Sequence, residues 1–361
     1  MTKPKVAIFY DWLNQWGGAE KVLLDLIKLY PEAPIYTLIH DPKKTDWLPK
    51  NTKIITSFIN KLPFSKSNPF FYTPFYSIAL EQFDFSDFDI VISTTSTVGH
   101  CLLTPPKTLF ICYFHNVNRH IYQKKYFWPI SSLISNYKKN DQIYSQRPDF
   151  LFCNSQTVQK RIENIYHRSA KIIYPGIDTS FFVPSKINSN EKYFLIVSRL
   201  VSHKKIDLAI RACHKLNQKL YIVGTGRDQN KLTRLINSLN DSNIKLLGKV
   251  DNKKLLDLYQ GCLALICPQL EDFGLSPIEA QSCGKPIIAY NRGGLTETVI
   301  NNKTGILFNH QTIKSLMLAL KKFNPDNFSK NICQKHAQKF SNINFMLNFK
   351  KETDLLWQNH Q

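Results

Sequence analysis

The sequence lacks any apolar run long enough to cross a membrane. No stretch of about 18 apolar residues occurs in the 361 residues. Residues 1–10 pass from two lysines into an apolar strand without the apolar core of a secretory signal. We therefore expect a cytoplasmic chain. Its 43% hydrophobic and 20% charged residues exclude a disordered or fibrous protein, and its length suits two domains of about 150–200 residues each.

Paired cysteines are also missing. None of the eight cysteines forms a C-x-x-C pair, and most lie inside apolar runs. A disulfide framework and a cysteine metal site both need such pairing. We expect buried, reduced thiols.

Acidic residues are scarce. The chain carries 47 basic and 27 acidic residues, for a net charge of +20, and both halves are basic. Residues 90–140 contain no acid, and residues 58–76 form a second basic, aromatic run. Within 90–140, the basic residues Lys107, Arg119, Lys124, Lys125, Lys138 and Lys139 alternate with Tyr113, Phe114, Tyr122, Tyr126, Phe127 and Trp128. This mixture predicts contact with an anionic membrane surface or a phosphate-bearing acceptor; the alternative is a solvated face of a lysine-rich protein.

Short apolar, β-branched runs alternate with helical periods along the whole chain. The predicted strands are Lys5–Tyr10, Ile35–Ile39, Asp89–Thr94, Thr108–Phe114, Phe150–Asn154, Tyr193–Arg199, Leu220–Val223, Ile244–Leu247, Leu263–Cys267 and Pro286–Tyr290. This alternation predicts an α/β fold with two doubly wound parallel-sheet, Rossmann-like domains facing each other across a cleft. We expect domains at 1–185 and 186–342, and a last helix within 343–361 that crosses back to the first domain. Ligands should bind at the carboxyl ends of the strands.

Two glycines follow the first predicted strand. Gly17 and Gly18 open a helical pattern, and glycine lets the backbone approach an anion at a helix N-terminus. A purely structural turn is the alternative. Trp12 and Trp16 flank this loop and are either platforms for a sugar ring or core residues.

Two cations follow the first strand of the second predicted domain. Arg199 and Lys204 lie between that strand and the next helix. Cations there can neutralise a pyrophosphate whose charge rises as its bond to a sugar breaks. A solvated charge run is the alternative.

The most specific pattern is Glu271-Asp272-Phe273-Gly274-Leu275-Ser276-Pro277-Ile278-Glu279. Ser276 is a natural N-cap with Pro277 at the first helical position, which predicts a helix start at that point. The backbone N–H groups of Phe273, Gly274 and Leu275 are then free to bind hydroxyls or phosphate. Glu271 and Glu279 supply acceptors for vicinal diols.

This pattern, with VSRLVSHKKIDLAI and IVGTG before it and GGLTETVINNKTGILF after it, resembles the retaining glycosyltransferases of family 4, which have the two-domain GT-B fold. The chain is similar to bacterial mannosyltransferases of cell-surface polysaccharide assembly, which carry a pattern close to residues 113–119. The resemblance implies four catalytic residues. His115 would lie near the reacting sugar, Arg199 and Lys204 would hold the diphosphate, and Glu271 would contact the donor sugar. It implies donor-binding roles for Gly17, Gly18, Gly224, Phe273, Gly274, Leu275 and, at the ribose, Glu279. After His115 the sequence departs from the common pattern, since Asn116, Val117 and Asn118 replace the usual threonine and proline-methionine pair.

Asp87 and Asp89 have the D-x-D spacing that holds a divalent cation in glycosyltransferases of another fold. They precede a predicted strand, at the end opposite to the expected ligand edge. We therefore expect no metal and no cofactor.

The resemblance thus implies a retaining hexosyltransferase, with GDP-mannose as the expected nucleotide-diphosphate sugar donor and a lipid-linked or oligosaccharide acceptor. Its place would be polysaccharide or lipopolysaccharide biosynthesis at the inner face of the plasma membrane. Alternatives are a UDP-sugar transferase, epimerase or phosphorylase of the same fold, or a silent sugar-binding module. A nucleic-acid-binding protein is a further alternative that the charge suggests, but no motif for nucleic-acid binding accompanies the charge, and we expect no nucleic-acid partner.

Overall fold

The computed structural model describes residues 3–122, 130–185 and 191–361, except for the side chains of residues 120 and 130–133. Five members of the acid-free stretch, Lys124, Lys125, Tyr126, Phe127 and Trp128, lie outside the described residues.

Parallel strands and helices alternate throughout the described chain. The strands are β1 Val6–Leu13, β2 Ile35–His40, β3 Ile54–Thr56, β4 Ile90–Thr95, β5 Leu109–Phe114, β6 Phe150–Cys153, β7 Lys171–Ile172, β8 Phe194–Val197, β9 Leu220–Val223, β10 Ile244–Gly248, β11 Ala264–Cys267, β12 Ile287–Tyr290 and β13 Gly305–Phe308. The helices are α1 Gly18–Leu29, α2 Tyr76–Glu81, α3 Arg119–Tyr122, α4 Ile130–Tyr144, α5 Gln156–Tyr166, α6 Ile206–Lys215, α7 Gln229–Leu239, α8 Asn252–Gly261, α9 Leu275–Ser282, α10 Leu295–Thr298, α11 Ile313–Lys322, α12 Lys330–Gln338 and α13 Asn342–His360.

The strands form two parallel sheets. The first has the order β3-β2-β1-β4-β5-β6-β7, and the second has the order β10-β9-β8-β11-β12-β13. The predicted fold class of two Rossmann-like sheets is confirmed. The order reverses between β1 and β4 in the first sheet and between β8 and β11 in the second. Loops that leave these strands at their carboxyl ends are where ligands bind in such sheets.

The chain divides into two compact units. One comprises Met1–Tyr174 and Phe345–Gln361, and the other Pro175–Asn344. The division falls before Pro175 rather than after residue 185, because the segment after Tyr174 binds the second unit. The Ile177 amide donates to the Phe340 carbonyl at 3.0 Å, and the Asn342 amide donates to the Ile177 carbonyl at 2.8 Å.

Each unit has its own apolar core. Strands buried on both faces supply it, since helices cover both sides of a parallel sheet. In the first unit, Phe345 and Phe349 of α13 pack against the core that β1, β4 and β5 share. All eight cysteines are unpaired and buried, as predicted. None of the described helices has the length and apolar character needed to span a bilayer.

Candidate active site

The glycine turn of the first unit lies between β1 and α1. Gly17 is the N-cap of α1 and has an extended backbone. The buried Glu20 carboxylate lies beneath it, accepting hydrogen bonds from the Tyr10 hydroxyl at 2.6 Å and from Gln15 Nε2 at 3.1 Å. A Cβ at position 17 would lie 3.1 Å from Glu20 Oε2. The turn therefore packs closely over its own acidic residue.

The two tryptophans beside this turn have different surroundings. Trp12 packs against the core, with its ring centroid 4.9 Å from that of Phe70. Trp16 is exposed, and its ring lies 5.0 Å from that of Trp47. Of the two, Trp16 is the more exposed ring, as a platform for a sugar requires.

His115 follows β5 at the carboxyl edge of the first sheet. Its Nε2 atom lies 2.8 Å from Thr94 Oγ1, and its carbonyl accepts a hydrogen bond from Asn154 Nδ2 at 2.9 Å. Burial lowers the pKa of the imidazole to about 3. The ring is consequently neutral near pH 7 and can take part in hydrogen bonds without carrying charge.

Asp11 joins the two strands at which the order of the first sheet reverses. It lies on β1 and accepts hydrogen bonds from Thr95 Oγ1 at 2.7 Å and from the Ser96 amide at 2.8 Å. Burial raises the pKa of its carboxyl, while these hydrogen bonds oppose the shift. Asp11 therefore fixes the loop after β4 beside His115, a partnership that no sequence pattern indicated.

A second buried histidine, to which the sequence assigns no role, lies in the same unit. His100 Nε2 is 3.0 Å from Asp141 Oδ1, and the Tyr122 and Tyr166 hydroxyls donate to Asp141 Oδ2 at 2.9 and 2.8 Å. Cys101 contributes a third metal-ligating type to this cluster. Because three donors already engage the carboxylate, this network serves to fix α4 against its neighbours.

In the second unit, Lys204 and Glu271 form an ion pair across the point of strand-order reversal. Lys204 Nζ contacts Glu271 Oε1, which also accepts a hydrogen bond from Gln269 Nε2 at 2.9 Å. The two side chains are 13% and 18% exposed. The loops after β8 and β11 thus bring a cation and a carboxylate together.

Arg199 and Gly224 lie on neighbouring loops of that sheet. Arg199 is exposed and forms no ion pair within the described part of the chain. Gly224 has a φ of +133°, and a Cβ there would lie 1.9 Å from the Ser198 carbonyl oxygen. Only glycine allows the loop after β9 to pack against the residue that precedes Arg199.

The helix after β11 begins earlier than the sequence predicts. α9 starts at Leu275, with Gly274 as its N-cap at a φ of +94°, so Ser276 is not the cap. Gly274 accounts for the difference, because its positive φ, which glycine adopts easily, ends the loop at residue 274 and leaves Ser276 inside the helix. Phe273 is buried and packs with Phe340. Of the three predicted binding amides, that of Leu275 lies in the first turn of α9, where backbone N–H groups lack helical acceptors.

Glu279 lies on α9, and only 2% of it is exposed. Its Oε2 atom accepts a hydrogen bond from the Tyr259 hydroxyl at 2.8 Å. Tyr259, at the end of α8, carries no sequence signal for this role. It orients the carboxylate that the resemblance assigns to a ribose.

Gly293 and Gly294 complete this region. A Cβ at Gly293 would lie 2.3 Å from the Glu271 carbonyl oxygen, and one at Gly294 would lie 2.2 Å from that of Asp272. The Gly294 amide donates to the Glu271 carbonyl at 2.9 Å. This glycine pair fixes the backbone of Glu271, and the repeated glycine is the sequence signal that could have identified it.

Asp89 lies at the amino end of β4, and its Oδ2 atom accepts a hydrogen bond from the Lys5 amide at 2.7 Å. Asp87 is exposed. The carboxylate of Asp89 is thus engaged in joining β1 to β4 at the end opposite to His115.

An exposed aromatic patch lies on the first unit. Its members are Phe58, Phe64, Phe70, Phe71 and Phe75, and the exposed Ile78 follows them in the chain. Phe64 and Phe71 are 79% and 69% exposed. Tyr72 and Tyr76, expected in the same surface, are instead buried, because their hydroxyls donate to the Pro63 and Pro69 carbonyls at 2.7 and 2.6 Å.

Two family profiles match the chain, one over most of each compact unit. Residues 16–181 match the profile described as Glycosyltransferase Family 4, and residues 178–340 match that of Glycosyl transferases group 1. The mouse alpha-1,3/1,6-mannosyltransferase ALG2 is 22% identical over 353 residues, which cover 81% of each chain. An uncharacterized glycosyltransferase of Methanocaldococcus jannaschii is 28% identical, but the match spans 44% of this chain and 45% of that protein. The structure of HepE from Anabaena, in complex with UDP and glucose, superposes with a TM-score of 0.74 at 18% identity over 98% of this chain and 100% of that one.

Proposed function

The chain belongs to the family 4 glycosyltransferases of GT-B fold, and we propose from this that it transfers mannose from GDP-mannose, with retention, to a hydroxyl of a lipid-linked or oligosaccharide acceptor. The place of this reaction is the assembly of a cell-surface polysaccharide. The observation that carries the proposal is the pairing of Lys204 with Glu271 beside the start of α9.

The second unit suits a nucleotide-diphosphate sugar. Transfer breaks the bond between the sugar and the diphosphate, and the leaving diphosphate gains negative charge. Arg199 and Lys204 supply positive charge, and the first turn of α9 supplies backbone donors. Glu271 then holds hydroxyls of the donor sugar, and Glu279, oriented by Tyr259, holds those of the ribose.

The first unit suits the acceptor and the reacting sugar. His115 is neutral and can exchange hydrogen bonds with hydroxyls. None of the residues that we assign to the site is an obvious covalent nucleophile, so we propose that the acceptor attacks on the face that the diphosphate leaves.

The donor has two supported candidates. Likeness to the mouse mannosyltransferase supports mannose. The alternative is a UDP-sugar, which the Anabaena complex with UDP and glucose supports. A thermal-shift panel of GDP-mannose, UDP-glucose, UDP-galactose and UDP-N-acetylglucosamine separates them, since at equal concentration the ligand that binds more tightly stabilises the folded state more. We expect the largest shift with GDP-mannose, and sugar transfer with the same donor.

Two results would refute this proposal. Stabilisation by UDP-sugars alone would exclude GDP-mannose and leave the UDP-sugar transferase. Stabilisation by random duplex DNA, sensitive to salt, with none by any nucleotide sugar would replace the enzyme with a nucleic-acid-binding protein.

We further propose that the aromatic patch contacts an anionic membrane that carries the acceptor. Lys61 and Lys66 lie within this segment and are exposed, and no acidic residue occurs between residues 58 and 76. Each basic side chain near an anionic leaflet adds about 1 kcal/mol of attraction. Exposed phenylalanines add a contribution that does not depend on charge.

A further inference from the structure

Asn116 carries an unpaired amide group beside His115. The residue is 3% exposed and directly follows His115 after β5. Its Oδ1 atom accepts a hydrogen bond from Arg161 Nη1 of α5 at 2.8 Å. Its Nδ2 atom is buried and has no hydrogen-bond partner among the residues that the structure describes.

The orientation of this carboxamide is determined by its neighbour. A guanidinium only donates hydrogen bonds, so the amide oxygen must face Arg161 and the NH₂ group must face away from it. Rotating the carboxamide would place donor against donor. The two amide hydrogens therefore point to a place where the described part of the chain offers no acceptor.

An unsatisfied buried donor lowers the stability of the folded state. This one lies on a rigid frame, because Thr94 holds the His115 ring and Asn154 holds the His115 carbonyl. The frame is at the carboxyl edge of the first sheet, where ligands bind in parallel sheets. An unsatisfied donor at such a position is explained if a bound ligand supplies the missing acceptor.

We propose that Asn116 Nδ2 donates a hydrogen bond to a hydroxyl oxygen of a sugar bound beside His115. An oxygen is required because the NH₂ group can only donate. The ring of His115 is neutral and the amide is uncharged, and these two groups suit a hydroxyl better than a phosphate. This inference rests on the proposed glycosyl transfer and identifies a residue that selects its substrate.

The test uses Asn116→Asp, which keeps the shape and the acceptor for Arg161 but removes both amide hydrogens. Without ligand, this variant should unfold at the same temperature as the wild type or higher, because its new carboxylate pairs with Arg161 and the unpaired amide donor has been removed. Transfer should fall at least tenfold in kcat/KM. Asn327→Asp, at an exposed asparagine of the second unit, is the matched control and should change neither quantity.

Two kinetic readouts identify the source of the hydroxyl. With the donor that stabilises the protein most, transfer to octyl α-mannoside and hydrolysis of the donor by water are measured in parallel. A loss of transfer alone assigns the hydroxyl to the acceptor, and a loss of both assigns it to the donor sugar.

Unchanged kinetics in Asn116→Asp, or a loss of kinetics that merely follows a lower unfolding temperature, would overturn the inference and leave a buried water as the partner of the amide. A wild-type protein that neither binds nor uses any nucleotide sugar would instead refute the proposed function itself, and the inference with it.

Discussion

Replacing Lys204 should abolish transfer by a mechanism that a double variant can isolate. If Lys204 neutralises the leaving diphosphate, Lys204→Met removes about 3 kcal/mol of transition-state stabilisation, a loss of a hundredfold or more in kcat/KM. The same change leaves Glu271 without its cation in a loop where it is 18% exposed. We therefore expect a second effect, a decrease of about 1–3 kcal/mol in the free energy of unfolding.

The two effects separate in Lys204→Met combined with Glu271→Gln. The glutamine carries no charge, so the double variant should recover most of the free energy of unfolding, measured by urea denaturation. Its transfer rate should be no higher than that of Lys204→Met, because Glu271 itself contacts the donor sugar in the proposed site, so only recovery of transfer is informative about Lys204. Recovery of transfer in the double variant would refute the assignment, because it would mean that Lys204 serves only to balance Glu271.

Two further variants complete this experiment. Arg199 is exposed and without an ion pair among the described residues. Arg199→Ala should reduce transfer a hundredfold while changing the free energy of unfolding by less than about 0.5 kcal/mol. Lys231→Met, at an exposed lysine of α7, is the control and should preserve both.

Metal removal, pH and lipid binding test other parts of the assignment. Transfer should survive EDTA, measured by product formation; complete loss that Mn²⁺ restores would assign a metal to Asp87 and Asp89. Because burial lowers the pKa of His115 to about 3, the unfolded chain binds a proton below about pH 6.5 that the folded chain does not. The free energy of unfolding should therefore fall between pH 7 and pH 5 by about 2 kcal/mol more in the wild type than in His115→Gln; equal slopes in urea titrations would contradict this. In co-sedimentation, liposomes with acidic lipid should bind the protein more than neutral ones, and salt should weaken the binding. The double variant Phe64→Ser, Phe71→Ser should lose the liposome binding that persists at high salt. Equal binding of the wild type and this variant to acidic and neutral liposomes would point to a soluble acceptor.

Much of the fold follows from local pattern. Residues 220–223 are predicted as a strand and form β9 without a change of bounds, because a central parallel strand is apolar on both faces. The pattern missed three strands, β3, β7 and β13, which have three, two and four residues and all lie at the edge of a sheet. Such segments are too short to show a period. The predicted start of α9 was wrong, because Gly274, rather than Ser276, is the N-cap that ends the preceding loop.

The partners within the site could not be predicted in the same way. Asp11 and Thr95 are 84 residues apart in the chain, and they meet only because β1 and β4 are neighbours at the reversal of strand order. Tyr259 and Glu279 are 20 residues apart on different helices. Each pairing depends on the order of strands in the sheet, which periodicity does not specify. The sequence therefore indicates the residue types of the site, and the topology selects their partners.

His115 and Asp11 of the first sheet differ in charge from Lys204 and Glu271 of the second, and this difference supports the division of labour that we propose. At the first sheet, burial keeps His115 neutral and raises the pKa of Asp11. At the second sheet, Lys204 and Glu271 are only partly buried and form an ion pair. The exposed Arg199 lies on the same loop as Lys204. A diphosphate that gains charge during the reaction requires fixed cations, whereas a hydroxyl that must approach the sugar is best served by uncharged hydrogen-bonding groups. The leaving group is thus matched to the second unit and the attacking hydroxyl to the first.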